Sequence, residues 1–177
     1  LSWLEAFVSL LKLKKAEPTA TEAPTDAPPD EPHAPVDATG RRGFDPDFLS
    51  EHIDLPTMKG RTDALLHYHH FSVAMNPTRR LPYFTAVNID AKKYNRLKAM
   101  LPNRDEMSDH WVLERRIPTT VQLPESFYYD NDFDLGHMVR REDVLWGDSL
   151  EEAIAANADT FHLTNAAPQH KDFNRSA

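Results

Sequence analysis

Between Asn131 and Asn174 the chain carries residues whose types and spacing suit the attack of water on a phosphodiester. His137 follows Gly136 and is followed by Arg140 and Arg141; Asn165, Gln169 and Asn174 come later. A histidine that is neutral near pH 7 can take a proton from water, and a metal ion can carry the charge that grows on a phosphate. Gly136 lets backbone approach His137 closely, and a carbonyl accepting from one ring nitrogen would orient the imidazole and leave the other lone pair for water. Asn174 offers a hard, neutral amide oxygen suited to Mg²⁺, with Mn²⁺ or another divalent cation as substitutes. Arg140, Arg141 and, with weaker placement, Arg116 can pair bidentately with phosphate oxygens. Asp134, Asn165 and Gln169 are read as residues that orient backbone and neighbours rather than touch substrate. Each also has a plainer reading: a packed histidine, an exposed asparagine, a solvated pair of charges.

The elements that must hold these residues are partly visible in the hydrophobic pattern. Leu65 to Met75 alternates in the strand sense, with Phe71, Val73 and Met75 on one face and Tyr68, His70 and Ser72 on the other. Pro82 to Ile89 predicts a second strand, joined to the first through the turn residues Asn76 to Arg80. Residues 91–100 form either a short helix or an irregular excursion. Trp111 to Leu113 and Phe127 to Tyr129 are short aromatic-apolar runs leading into the His137 segment. Ser149 and Glu152 stand at capping-box spacing and predict a helix running on to Phe161. A final helix or turn is expected to begin near Pro168, where proline suits a first helical turn. His67, His69 and His70 invite a zinc reading, but with no Cys and no distant histidine pair they are expected to be sheet residues beside a hydrophobic layer.

Taken together, the two segments resemble the DNA/RNA non-specific endonucleases of the ββα-metal (His-Me finger) fold. In that family an Asp-Arg-Gly-His segment ends the first strand of the finger with its general base, and a later Ser/Thr-Asn-x-x-Pro-Gln segment leads to the metal-binding asparagine. Asp134, Gly136 and His137 match the first, and Thr164, Asn165, Pro168, Gln169 and Asn174 match the second. The resemblance continues upstream through Tyr68 to Val73, Arg79 to Leu81, Phe84 to Asp90 and Arg116 to Pro118, and covers about residues 44–177. It implies an α+β fold with an antiparallel sheet and flanking helices. It also implies hydrolysis of both DNA and RNA with one Mg²⁺, His137 as base and Asn174 as metal ligand. One departure is chemical: Leu135 stands where the family has an arginine thought to hold phosphate. The family also continues past the metal asparagine with a tryptophan and a metal-supporting glutamate. The chain starts at Leu1 without Met and stops at Ala177, so it reads as a piece cut at both ends.

Composition bounds the rest. Six of the fourteen prolines fall between Ala16 and Gly40, which places a linker there rather than describing a domain. Three parts are therefore expected. Residues 1–15 form an amphipathic helix, with Leu4, Phe7, Val8 and Leu11 opposite Ser2, Glu5, Ser9 and Lys12, and read as the end of an upstream module. Residues 16–43 form an acidic, Pro-rich disordered linker with too little apolar surface to offset the entropy of ordering. Residues 44–177 form the nuclease-like domain. The net charge of −8 argues against a protein that coats nucleic acid by bulk electrostatics, though not against one with a local basic rim and a divalent cation. No run of about 18 apolar residues spans a bilayer, and the N-terminal helix lacks the pattern of a secretory signal. A cytoplasmic setting is favoured, with secretion left open. The rival expectation is a catalytically weakened member of the family that binds nucleic acid or a protein partner without cutting.

Overall fold

The computed structural model describes residues 40–57 and 65–176. The expected N-terminal helix and nearly all of the linker lie outside the described residues. Three strands form an antiparallel sheet in chain order: β1 (Leu66–His67), β2 (Phe71–Asn76) and β3 (Leu81–Val87). The continuous strand expected from Leu65 to Met75 is thus broken into two that pair with each other, Leu66 against Val73 and His67 against Ser72. The Tyr68 amide closes the turn on the Phe71 carbonyl at 2.9 Å, and His70 takes a positive φ of 68°. The gain is packing. Tyr68 and Phe71 are both fully buried and stack with ring centroids 4.7 Å apart, whereas an unbroken strand would send residues three apart to opposite faces.

The second hairpin forms where the turn residues predict it. Asn76 Oδ1 accepts from the amides of Thr78 and Arg79, both at 3.1 Å, and the Asn76 carbonyl accepts from Arg80 at 2.7 Å. A register irregularity follows between Ala74 and Met75, where Pro82 pairs with Met75; a proline inside a sheet is accommodated at such a bulge. Residues 91–100 do contain a helix, α1 (Ala91–Leu97), capped by the Asp90 side chain accepting from Lys93 N. The helix expected after Ser149 is α2 (Leu150–Asp159), with Ser149 Oγ accepting from Glu152 N at 3.2 Å. The Glu152 carboxylate turns back one residue further than a capping box requires, to Asp148 N at 2.7 Å.

A second, two-stranded ribbon pairs β4 (Phe133–His137) with β5 (Ala166–His170), antiparallel, and leads directly into α3 (Lys171–Asn174). Here the expected helix start at Pro168 is corrected, because Pro168 sits inside β5 opposite Leu135 and the helix begins at Lys171. A two-stranded ribbon leaves one side of each strand unpaired, so a residue without an N–H fits. The core beneath these elements gathers Leu66, Tyr68, Phe71, Val73, Met75, Val139, Val144 and Ala156. Burial of these apolar side chains is the main term holding the sheet to α2 and to the turn after β4.

The buried carboxylate beside the core is paired. Glu114, 3% exposed, accepts from Tyr68 OH at 2.6 Å and receives Arg116 Nε and Nη2 at 3.0 and 2.8 Å. Burial alone would raise the Glu114 pKa, but the hydrogen bonds from Arg116 and Tyr68 outweigh it and hold the group at about 2. The chain is tied to this body ahead of the boundary expected at residue 44: Arg41 pairs with buried Asp159 at 2.6 Å, and Gly43 N donates to the Tyr68 carbonyl at 2.9 Å. Among the described residues, no helix is long and apolar enough to cross a membrane.

Candidate active site

The site is built on the ribbon and the short helix that follows it. Gly136 pairs with Ala167 in mid-ribbon, and a Cβ there would fall on the side chain of Gln169. Only glycine lets Gln169 cross the strand at this point, from where its Nε2 donates to the His137 carbonyl at 3.4 Å. Asn165 fixes the backbone just beyond. Fully buried, its Oδ1 accepts from Val139 N, and its Nδ2 donates to the carbonyls of Val139 and Thr160, all at 2.9 Å. The Asn165 carbonyl also accepts from Met138 N at 2.9 Å. Asn165 and Gln169 therefore hold the segment that carries His137.

His137 closes β4 opposite Ala166. Among the described residues, no carbonyl accepts from its ring. The imidazole is instead held between Trp111, with centroids 4.6 Å apart, and Phe161, edge-on at 4.7 Å and 89°. One edge of the ring is enclosed: Nε2 is buried with no hydrogen-bond partner among the described residues. Burial first, then the positive charges of Arg141 and Arg104, lower the His137 pKa to about 4. All three disfavour the imidazolium, so the ring is neutral at pH 7 and able to accept a proton.

The arginines separate into different environments. Arg140 is exposed and pairs with Asp143 at 2.9 Å. Its neighbour Arg141 is 5% exposed, donates from Nε to Asn157 Oδ1 at 3.1 Å and lies over the Phe161 ring at 5.8 Å. Arg116 is committed elsewhere, with Nε and Nη2 on Glu114, Nη1 on the His67 carbonyl at 2.7 Å, and its guanidinium over Tyr68. A guanidinium engaged in this way has no free fork for a phosphate.

Asn174 ends α3 and donates from Nδ2 to Asp134 Oδ2 at 3.3 Å. Asp134 also takes both Nε and Nη2 of Arg175, at 2.8 and 2.7 Å, and these bonds hold its pKa below the usual carboxylate range. The amide nitrogen of Asn174 is thus turned toward Asp134, and its oxygen Oδ1 faces away with no partner among the described residues. Asn174 and His137 do not touch. Three residue steps along β4, roughly 10 Å of strand, separate Asp134 from His137.

Several residues of this site carry no sequence signal for it. Trp111 and Phe161 are legible as apolar, but nothing in their spacing says that both flank His137. Arg104 lies in an unremarkable polar stretch. The three histidines of the first hairpin serve structure: His67 Nδ1 contacts Ser72 Oγ at 2.9 Å, His69 Nδ1 contacts Asp159 at 2.8 Å, and His70 stacks on Trp146 at 3.6 Å.

Comparison with known proteins adds the family context. Residues 50–177 match the family model described as DNA/RNA non-specific endonuclease. An uncharacterised protein of Sinorhizobium fredii, y4fB, is 38% identical over 159 residues, covering 78% of this chain and 23% of that protein. The chain therefore spans less than a quarter of the curated relative's length. The crystal structure of the EndoG/EndoGI complex superposes with a TM-score of 0.51 over 65% of this chain and 43% of that chain, at 19% identity. That likeness is one of fold, and the mixed α+β arrangement of small antiparallel sheets and helices fits the ββα-metal nuclease fold.

Proposed function

The chain belongs to the DNA/RNA non-specific endonuclease family, and we propose that it hydrolyses phosphodiester bonds of DNA and RNA with little sequence preference, with His137 as general base and one Mg²⁺ held through Asn174. The observation that carries this reading is the state of His137: an imidazole kept neutral between two aromatic rings and beside guanidinium charge. A base of this kind takes a proton from water as water attacks phosphorus. The nearby positive charges that depress its pKa also attract the phosphate, whose own negative charge makes the imidazole a stronger base once substrate is bound. Because water and not a ribose hydroxyl is the nucleophile, DNA serves as well as RNA, and the products carry 5′ phosphates.

The residues present fit a hydrated divalent cation. Among the described residues, no group of three or more His, Cys, Asp or Glu side chains could cage a metal ion. Mg²⁺ keeps several of its waters and accepts a single hard oxygen from the protein, and Asn174 Oδ1 is such an oxygen, aimed by the bond from its nitrogen to Asp134. When bound, the cation would supply positive charge to the phosphate and the leaving 3′ oxygen. Asp134 and Arg175 hold Asn174 in place; Gln169 and Asn165 hold the backbone on either side of His137. Arg140, exposed and paired with Asp143 among the described residues, can exchange that partner for a phosphate. Contacts of this kind read phosphate and sugar rather than base edges, which gives little sequence preference. Residues 1–43 are proposed to tether this domain to another module.

A second reading rests on Leu135, on buried Arg141 and on Arg116 bound to Glu114: a member of the family that binds nucleic acid without cutting it. Nicking of supercoiled plasmid in Mg²⁺ decides between the two. The proposal expects nicking by the wild-type chain that is abolished by EDTA and falls at least a hundredfold in His137→Ala, in the range of a lost general base. Equal nicking by wild type and His137→Ala, or none by either, refutes hydrolysis at this site and favours the binding module.

A further inference from the structure

The segment from Arg104 to Trp111 is pinned alongside His137 by buried groups. The Arg104 carbonyl accepts from Arg141 Nη2 at 3.4 Å, Arg141 Nε donates to Asn157 Oδ1, and Asn157 Nδ2 donates to the Ser108 carbonyl at 3.0 Å. Arg141 and Asn157 are 5% and 0% exposed, so both ends of the stretch 104–108 are fastened to the interior. Three residues beyond Ser108, Trp111 lies against the His137 ring, and Arg141 covers the Phe161 ring that meets His137 from the other direction. The Arg104 side chain, by contrast, is exposed and makes no ion pair or hydrogen bond among the described residues. The other arginines considered for phosphate are paired with Asp143, hydrogen-bonded to Asn157 in the interior, or bound to Glu114.

We propose that Arg104 is the guanidinium that contacts substrate phosphate beside His137, supplying from a neighbouring loop the charge that Leu135 does not supply from the strand. The inference rests on the nucleic-acid reading of this site, yet it concerns binding and stands apart from turnover. A guanidinium on a loop anchored at both ends loses little entropy when it closes on an anion, and its fork matches two phosphate oxygens. The positive field of Arg104 already reaches the His137 imidazole, as its contribution to the lowered pKa shows. Arg104 sits at the start of a short 3-10 turn followed by Asp105 and Glu106, so the loop as a whole is not basic. The positive charge this loop brings to nucleic acid is therefore local, carried by Arg104.

The test measures binding of a fluorescein-labelled single-stranded oligonucleotide to the full chain in EDTA by anisotropy, across a salt series, for wild type, Arg104→Ala, Arg104→Lys and Arg79→Ala. Arg79 is an exposed arginine in the β2–β3 turn and serves as a charge-matched control. The proposal expects about a tenfold loss of affinity in Arg104→Ala and a salt slope shallower by about 0.7, the signature of one lost phosphate contact on a single strand. Arg104→Lys should keep most of the slope, and Arg79→Ala should leave both quantities at wild-type values. Unchanged binding in Arg104→Ala, or an equal loss in Arg79→Ala, overturns the assignment. Absence of His137-dependent nicking would refute the hydrolytic reading alone, because the anisotropy series still decides whether Arg104 holds phosphate.

Discussion

Exchanging His137 for a non-titrating ring isolates the energetic consequence of keeping its imidazole neutral. His137→Phe preserves an aromatic side chain between Trp111 and Phe161 and removes both the proton site and the unpartnered Nε2. In the unfolded chain a histidine takes its proton near pH 6.5, whereas folded His137 does so only at about 4. Between these values the unfolded state binds more protons, so stability falls as the pH drops through this window and is fully retained above it. Integrating over that interval, the wild-type chain loses about 2.5 kcal/mol by pH 4.5 through this group alone, an order-of-magnitude figure. His67, His70 and His162 are also pushed down by burial, but they are present in both proteins and cancel in the difference. Urea unfolding at pH 7.0, 6.0, 5.0 and 4.5 gives the two stability curves. They should diverge in favour of His137→Phe by about 2.5 kcal/mol from the first pH to the last. Parallel curves would show that the imidazole is not held neutral, and would remove the main support for its role as a base.

Two further substitutions probe the frame around His137. Asn165→Ala leaves Val139 N and the carbonyls of Val139 and Thr160 buried without their partner, which should cost about 3 kcal/mol or more in urea unfolding; a loss below about 0.5 kcal/mol would mean these backbone groups find other partners. Gly136→Ala drives a Cβ onto Gln169 and should destabilise by about 1–3 kcal/mol, with most of that recovered when Gln169→Ala is added. A double variant no more stable than Gly136→Ala alone would place the strain in the β4–β5 backbone instead.

Much of the local architecture was legible because its causes are local. The Asn76–Arg80 turn depends on a side chain bonding amides two and three residues ahead, and the α2 cap on a serine bonding three residues ahead. The ribbon residues came from a motif, and a motif specifies neighbours along the strand rather than what packs against them. What stayed hidden depends on segments far apart in the chain. Trp111 and Phe161 meet His137 because a parallel bridge from Val112 to His162 joins two distant loops, with Val112 N on the Phe161 carbonyl and Leu163 N on the Val112 carbonyl, both at 2.9 Å. No periodicity within either loop encodes that pairing.

Arg140 and Arg141 show the same limit at its sharpest. Adjacent and identical in type, they look alike in the sequence as phosphate ligands, yet the 3-10 turn at Arg141–Val144 sends one to solvent and the other against Asn157 and Phe161. Burying a guanidinium without a carboxylate partner is costly, and the Arg141 pKa is lowered by that burial. The interior position therefore needs a return. Part of it is structural, since Arg141 fastens the 104–108 loop; part is electrostatic, since its charge, after burial and together with that of Arg104, adds to the lowering of the His137 pKa. A sequence places two charges side by side, but only the packing decides that one of them is turned in beside the His137 and Phe161 rings while the other stays in solvent against Asp143.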